Sequence, residues 1–196
     1  MADRKATAAR ETKETSVKVE LNIDGKSQFQ IATGIRFFDH MLSQLAQHGI
    51  FDLKLSATGS DQHHVVEDVA ITLGKAFNQA LGDKQGIVRM SNAIVPMDDA
   101  LAMVAIDIGG RGYTMFEAPF DNHKIEEMSA DLIHHFFVSF ASETKLNIHA
   151  KVLAGINDHH KSEALFKALA RALDAATRID HRIVGRMPST KDTIES

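Results

Sequence analysis

An α+β fold made of two copies of one unit is predicted by three features of this 196-residue sequence. Residues 52–81 align without a gap on residues 148–177 at an offset of 96, so that Gly59 meets Gly155, His63 and His64 meet His159 and His160, and Glu67 meets Glu163. The stretch around His40 lies over the one around His135 at an offset of 95, the difference being a one-residue indel in the connecting loop. In each half the apolar pattern switches from alternation to helical spacing twice, which implies helices laid on one face of a mainly antiparallel sheet. A unit of ~90 residues closes a core only marginally by itself. The two halves, residues 1–93 and 94–196, are therefore expected to pack as one globular subunit.

The elements follow in order. Residues 17–23 alternate apolar and polar side chains as a half-buried strand does, and Asp24-Gly25 is a hairpin signal before a strand at 29–32. Residues 37–47 carry Phe38, Met41, Leu42 and Leu45 on one helical face, closed by His48-Gly49. A strand at 51–57, a Gly-Ser-Asp loop and a helix over about 64–81 complete the first unit. The second repeats it with strands at 101–108 and 113–118, a helix at 129–144, a strand at 147–153 and a helix at 160–177. Residues 1–16 are polar and carry no strand or helix signal.

The formal charge is −4, from 26 acidic and 22 basic side chains, which excludes the broadly basic surface of a general nucleic-acid binder. No apolar run approaches the ~20 residues that span a bilayer, so a soluble, cytoplasmic protein is expected. With no cysteine, neither a disulfide framework nor a thiolate metal site is possible. The 11 histidines are what the composition leaves to be explained.

Two copies of His-His-x-x-Glu hold the sharpest local signal. On a helix, His63 with Glu67 and His159 with Glu163 stand one turn apart and form two chelating pairs. His64 and His160 are rotated by ~100° and point to a different ligand set. Across a pseudo-twofold, each helix can supply a chelating pair to one ion and a lone histidine to the other, which makes two metals. His40 and His135, at equivalent places on the upstream helices, are the candidate fourth ligands. A single histidine on a helix is ordinarily a core or surface residue, but six at repeat-equivalent positions with paired glutamates are not. His48, His123, His149 and His181 have no repeat partner and read as structural or surface residues, His134 as a neighbour of a ligand. Three imidazoles and one carboxylate suit Mn, Fe, Co, Ni or Zn and disfavour Ca and Mg. There is no phosphate-binding loop of the nucleotide type, and residues 109–112 join two strands. Arg89, Arg111, Lys167, Arg186 and Lys191 are candidates for a diffuse anion site with Ser189.

Taken together, Lys13-Glu14-Thr15, GIRFFDHML from Gly34, DQHHVVED from Asp61, HFF from His135, AGINDHHKSEALFKA from Ala154 and PSTK from Pro188 resemble the imidazoleglycerol-phosphate dehydratase family over nearly the whole chain. The resemblance implies a duplicated unit of the ribosomal-protein-S5-domain-2-like fold, with two four-stranded sheets and two helices each. It also implies a 24-subunit homo-oligomer with active sites at subunit contacts and two Mn ions per site. One ion takes His40, His63, Glu67 and His160, the other His64, His135, His159 and Glu163. Glu14 matches an acid/base position, Glu67 and Glu163 double as proton carriers, and Arg89, Arg111, Lys167, Ser189 and Lys191 match the group that holds the substrate phosphate. The implied reaction is loss of water from D-erythro-imidazole-glycerol phosphate to give imidazole-acetol phosphate in histidine biosynthesis. Competing readings are a dinuclear metal-dependent hydrolase and a metal-storage cage. The sequence departs from the family pattern with Gly-Gly-Arg-Gly-Tyr at 109–113, where Ser-Gly-Arg-Pro-Tyr is usual, at Arg36 and Gln62, and over 179–187.

Overall fold

The computed structural model describes residues 4–194; the outermost ends of the two expected halves, 1–3 and 195–196, lie outside the described residues. The first half runs β1 (Lys5–Glu11), β2 (Thr15–Asn22), β3 (Phe29–Ala32), α1 (Arg36–Gly49), β4 (Asp52–Gly59) and α2 (Gln62–Leu81). The second runs β5 (Met90–Met97), β6 (Ala100–Asp107), β7 (Tyr113–Glu117), the short pair β8 (Lys124–Ile125) and β9 (Met128–Ser129), α3 (Asp131–Thr144), β10 (Asn147–Ala154) and α4 (Asp158–Thr177). The sheets have the same topology, β1-β2-β4-β3 and β5-β6-β10-β7, with the last pair of each parallel and the others antiparallel. The predicted α+β duplication is the observed architecture.

One local expectation fails. Asp24-Gly25 does not fold β2 back onto β3, because β4 lies between them. The Asp52 carboxylate, at the head of β4, accepts the backbone N–H groups of Lys26 and Gln28 at 2.8 and 2.9 Å, and a Cβ on Gly25 would fall 2.3 Å from the Asp52 nitrogen. The turn is thus seated on β4, and the chain leaves it toward the far edge of the sheet. Four strands were not anticipated: β1, β5 and the two-residue β8 and β9. The inward position on β1 is held by Ala6, too small to mark an apolar stripe, and the outward face of β5 is as apolar as its inward one.

Each sheet covers one face with a helix. Val17, Val19 and Leu21 of β2 lie under α2, and Ala102, Val104 and Ile106 of β6 under α4. The helices then pair across the duplication: α2 packs on α3, and α1 on α4. Their contact is close, since a Cβ on Gly74 of α2 would lie 2.9 Å from the Phe140 carbonyl oxygen of α3. A glycine inside a helix costs ~1 kcal/mol relative to alanine, and here it sets the approach of two helices. Phe38, Phe77, Phe136, Phe140 and Phe166 are fully buried in one continuous core that draws on both halves.

The start of α4 is fixed by buried charge. Lys161 and Asp158 are both buried, and the ammonium lies 2.9 Å from Asp158 and 2.8 Å from Asp121. Asp158 also accepts the backbone N–H groups of Asp121 and Asn122. Burial pushes the Asp158 carboxyl upward, but its hydrogen bonds from Lys161, Asn122 and the backbone outweigh this and hold it below the ordinary value. A carboxylate with a lowered folded-state pKa contributes stability above its unfolded pKa of ~3.9 and loses it as the pH falls further. Urea denaturation between pH 5 and 2 is therefore expected to show stability declining below about pH 4. In Asp158→Asn that decline should be shallower, from a lower plateau at pH 5.

Candidate metal centre

The cross-pairing of helices decides which histidines meet. On the α1–α4 contact, His40 Nε2 lies 3.2 Å from Glu163 Oε2 and His159 Nε2 lies 3.5 Å from the same oxygen. On the α2–α3 contact, the His63 and His135 rings stack with centroids 4.6 Å apart, and His135 Nε2 lies 3.7 Å from Glu67 Oε1. Among the described residues these two groups, His40 with His159 and Glu163 and His63 with Glu67 and His135, each bring their ligand atoms within 4.8 Å of one another. Each group holds one of the i, i+4 pairs, His63 with Glu67 and His159 with Glu163. The upstream histidines are exchanged relative to the expected sets: His40 joins the second-repeat pair, not His63 and Glu67, and His135 joins the first-repeat pair, not His159 and Glu163. The reason is packing, because each upstream helix lies against the chelating helix of the other repeat.

The residues fit a divalent transition ion. His135 Nε2 is buried without a hydrogen-bond partner and stands 3.7 Å from Glu67 Oε1, an orphaned polar atom of the kind a bound ion would satisfy. Two imidazoles and a carboxylate in each group form a mixed N/O donor set with open positions. Burial pushes Glu163 upward, but hydrogen bonds from Lys167 and His40 bring it below the ordinary carboxylate value, so it stays ionised.

His64 and His160 belong to neither group. The His64 ring binds Asp61 through Nδ1 at 2.5 Å and turns Nε2 to within 3.5 Å of Glu14. The His160 ring binds Asp99 through Nδ1 at 2.6 Å and turns Nε2 to within 3.5 Å of Asp98. The hydrogen bond to Asp61 raises the pKa of His64, and that from His160 holds Asp99 well below the carboxylate range. Glu14 sits on the β1–β2 turn, whose backbone is held by Thr12 Oγ1, while Thr15 hydrogen-bonds buried Asp68 of α2 and Arg10 pairs with Asp68 at 2.6 Å. Nothing in the repeat pattern pointed to Asp68 or Asp99; only contacts between distant segments reveal them.

The candidate anion residues are dispersed. Arg89 donates to Asp107 at 2.7 and 3.1 Å and to the Pro188 carbonyl at 2.8 Å, and together with Arg186 and Ser189 it lines an open cleft of about 790 Å³. Lys191 is next to Ser189, whose Oγ accepts its backbone N–H. Arg111 is exposed on the β6–β7 loop. Lys167 lies against Glu163 at 2.7 Å and Met97 at 3.3 Å. Met90, beside Arg89, and Met97 are the two ends of β5, so cleft and ligand group are separated by roughly 23 Å at the usual strand rise.

Fold and site together define a duplicated α+β protein with two symmetry-related histidine/glutamate groups suited to metal binding. A sequence profile described as "IGPD: Imidazoleglycerol-phosphate dehydratase" matches residues 33–173. The chain is 57% identical over 196 residues to the imidazoleglycerol-phosphate dehydratase of Dehalococcoides mccartyi strain 195, covering all of both chains. It is 53% identical over 191 residues to that of Methanothermobacter thermautotrophicus, with 96% of each covered. Crystal structures of the enzyme from Pyrococcus furiosus, in complex with (S)-C348, and from Staphylococcus aureus superpose with TM-scores of 0.83 and 0.80 at 36% and 32% identity. They cover 94% and 89% of this chain and 99% of each of those chains. This chain belongs to the imidazoleglycerol-phosphate dehydratase family, hydro-lyases of histidine biosynthesis acting on a small phosphorylated substrate.

Because the groups lie on separate helix contacts, His135→Ala is expected to lower metal content by one ion per chain and leave the second. Elemental analysis after dialysis against Mn2+ measures this; loss of both ions or of neither contradicts two independent groups.

Proposed function

We propose that this chain dehydrates D-erythro-imidazole-glycerol phosphate to imidazole-acetol phosphate at a dinuclear Mn2+ site completed between copies of the chain. The observation that carries the reading is the pair of three-residue ligand groups alongside two unused, symmetry-related imidazoles in the same chain. We assign one ion to His40, His159 and Glu163 with His64 of a second copy, and the other to His63, Glu67 and His135 with His160 of a second copy. This keeps the eight ligands expected from the sequence and exchanges His40 and His135 between the sets. When bound, the ions supply Lewis acidity toward the imidazole nitrogens and a template that orients the substrate.

The protein residues do the rest. Glu14 removes the C2 proton, and the C3 hydroxyl leaves with a proton as water. The resulting enol is reprotonated at C3 to give the ketone. Glu67 and Glu163 are candidates to relay the second proton. Arg89, Arg111, Lys167, Ser189 and Lys191 form the phosphate-binding set. The separation of the Arg89 and Ser189 end of this set from Lys167 and Glu163, at the two ends of β5, supports a site assembled from more than one copy, since one small substrate cannot reach both ends of a strand.

The assembly we propose is a homo-oligomer of 24 subunits, and self-association as such is supported by the open face of the second sheet, where Met90, Ile94, Tyr113, Met115 and Leu153 are all exposed. The open face of the first sheet carries Lys18, Glu20, Lys54, Ser56 and Thr58 instead. An apolar sheet face of this kind is what a self-association surface needs. Among the described residues no helix is long and apolar enough to cross a membrane, in keeping with a cytoplasmic role. The two halves, 1–93 and 94–196, act as one subunit in this reading.

Metal-stripped protein incubated with imidazole-glycerol phosphate should yield the ketone only when Mn2+ is restored. Glu14→Gln should keep both ions and lose at least about 100-fold in turnover; full turnover removes Glu14 from the chemistry, and release of inorganic phosphate favours the dinuclear hydrolase. Ile94→Asp should shrink the particle in sedimentation velocity while leaving the circular dichroism of the folded chain unchanged, and an unchanged particle size rules out that face as an interface.

A further inference from the structure

We propose that Asp61 and Asp99 are positioning residues that hold His64 and His160 in the tautomer whose Nε2 is open to a metal ion. The inference rests on the metal centre proposed above and concerns residues outside its ligand set.

A carboxylate only accepts, so in a neutral ring bound to it through Nδ1 the proton resides on Nδ1 and the lone pair on Nε2. The Nδ1 contacts, 2.5 Å to Asp61 and 2.6 Å to Asp99, favour this state in both rings. Neither Nε2 is engaged in a hydrogen bond, since the facing carboxylates of Glu14 and Asp98 stand 3.5 Å away. The two partners are not repeat equivalents. The counterpart of Asp61 is Asn157, which still caps its helix by accepting the backbone N–H groups of His159 and His160. The carboxylate for His160 comes instead from the β5–β6 turn, 61 positions away. The same ring nitrogen has thus met a carboxylate by two different routes, which helix capping alone does not require. Partners of this kind fix ring orientation and raise ligand basicity, and their loss typically costs about 10–100-fold in metal affinity.

In each carboxylate one oxygen serves the ring and the other serves the backbone. Asp61 Oδ1 accepts His64 N–H at 3.0 Å, and Asp99 Oδ2 accepts Ile156 and Asn157 N–H at 2.6 and 3.0 Å. An asparagine must give its carbonyl to the backbone donors and present its NH2 to Nδ1. The ring proton then moves to Nε2, and the backbone anchor survives.

The test uses the full chain of the wild type, D61N and D99N. Side-chain 15N–1H spectra of metal-free protein should place the ring proton on Nδ1 of His64 and His160 in the wild type. In D61N it should move to Nε2 of His64, and in D99N to Nε2 of His160. Calorimetric titration with Mn2+ should show one of the two ions bound about 10–100-fold more weakly in each variant, with the urea midpoint within error of wild type. A wild-type ring carrying its proton on Nε2, a variant ring keeping it on Nδ1, or variant affinities equal to wild type overturn the assignment and leave the metal centre standing. A wild-type chain that takes up no Mn2+ overturns the metal centre and the assignment with it.

Discussion

The packing of α1 on α4 and of α2 on α3 is the constraint on which the rest of this molecule depends. Each helix packs against a helix of the other repeat, while α2 and α4 also cover the sheets of their own halves. The core follows from this, because Phe77 of α2 meets Phe140 of α3 with ring centroids 5.5 Å apart, and the two helix pairs are joined where Phe136 of α3 meets Phe38 of α1 at 5.7 Å and Phe166 of α4 at 5.0 Å. The ligand groups follow as well, since His40 and His135 come within reach of a glutamate only at these two contacts. Gly74 shows how finely the spacing is set.

Charged side chains then tie the loops that carry chemistry to this helical frame. Asp68 holds the β1–β2 turn through Thr15 and Arg10, and Asp99 holds the start of α4 through two backbone amides. Asp158 and Lys161 clamp residues 121 and 122 to the same helix. Buried or half-buried groups of this kind are costly to leave unpaired, so each acts as a specific latch between distant segments.

Much of the architecture was legible in the sequence because it is written twice. Helical spacing and the offset of 96 located α2, α4 and both chelating pairs within a few residues. What the repeat could not convey is which helix faces which. Alignment makes His40 equivalent to His135, but equivalence is silent about contact, and in the fold His40 lies beside Glu163 and His135 beside Glu67. The β1 and β5 strands escaped for reasons of composition, one being small on its inward face and the other apolar on both. Asp99 was invisible because its partner lies far along the chain, and the Asp24-Gly25 turn misled because Asp52, not the turn itself, sets its direction.

The crossing of the helices has a mechanical consequence. His40 and Glu163 are 123 positions apart, and an ion gripping both would be a removable crosslink between the two ends of the chain, closing a loop that the polypeptide alone closes only through packing. Ligation of this kind stabilises the folded state by mass action in proportion to free ion. Resistance of the chain to proteolysis would thereby track metal supply, and the docking of its two halves would report it.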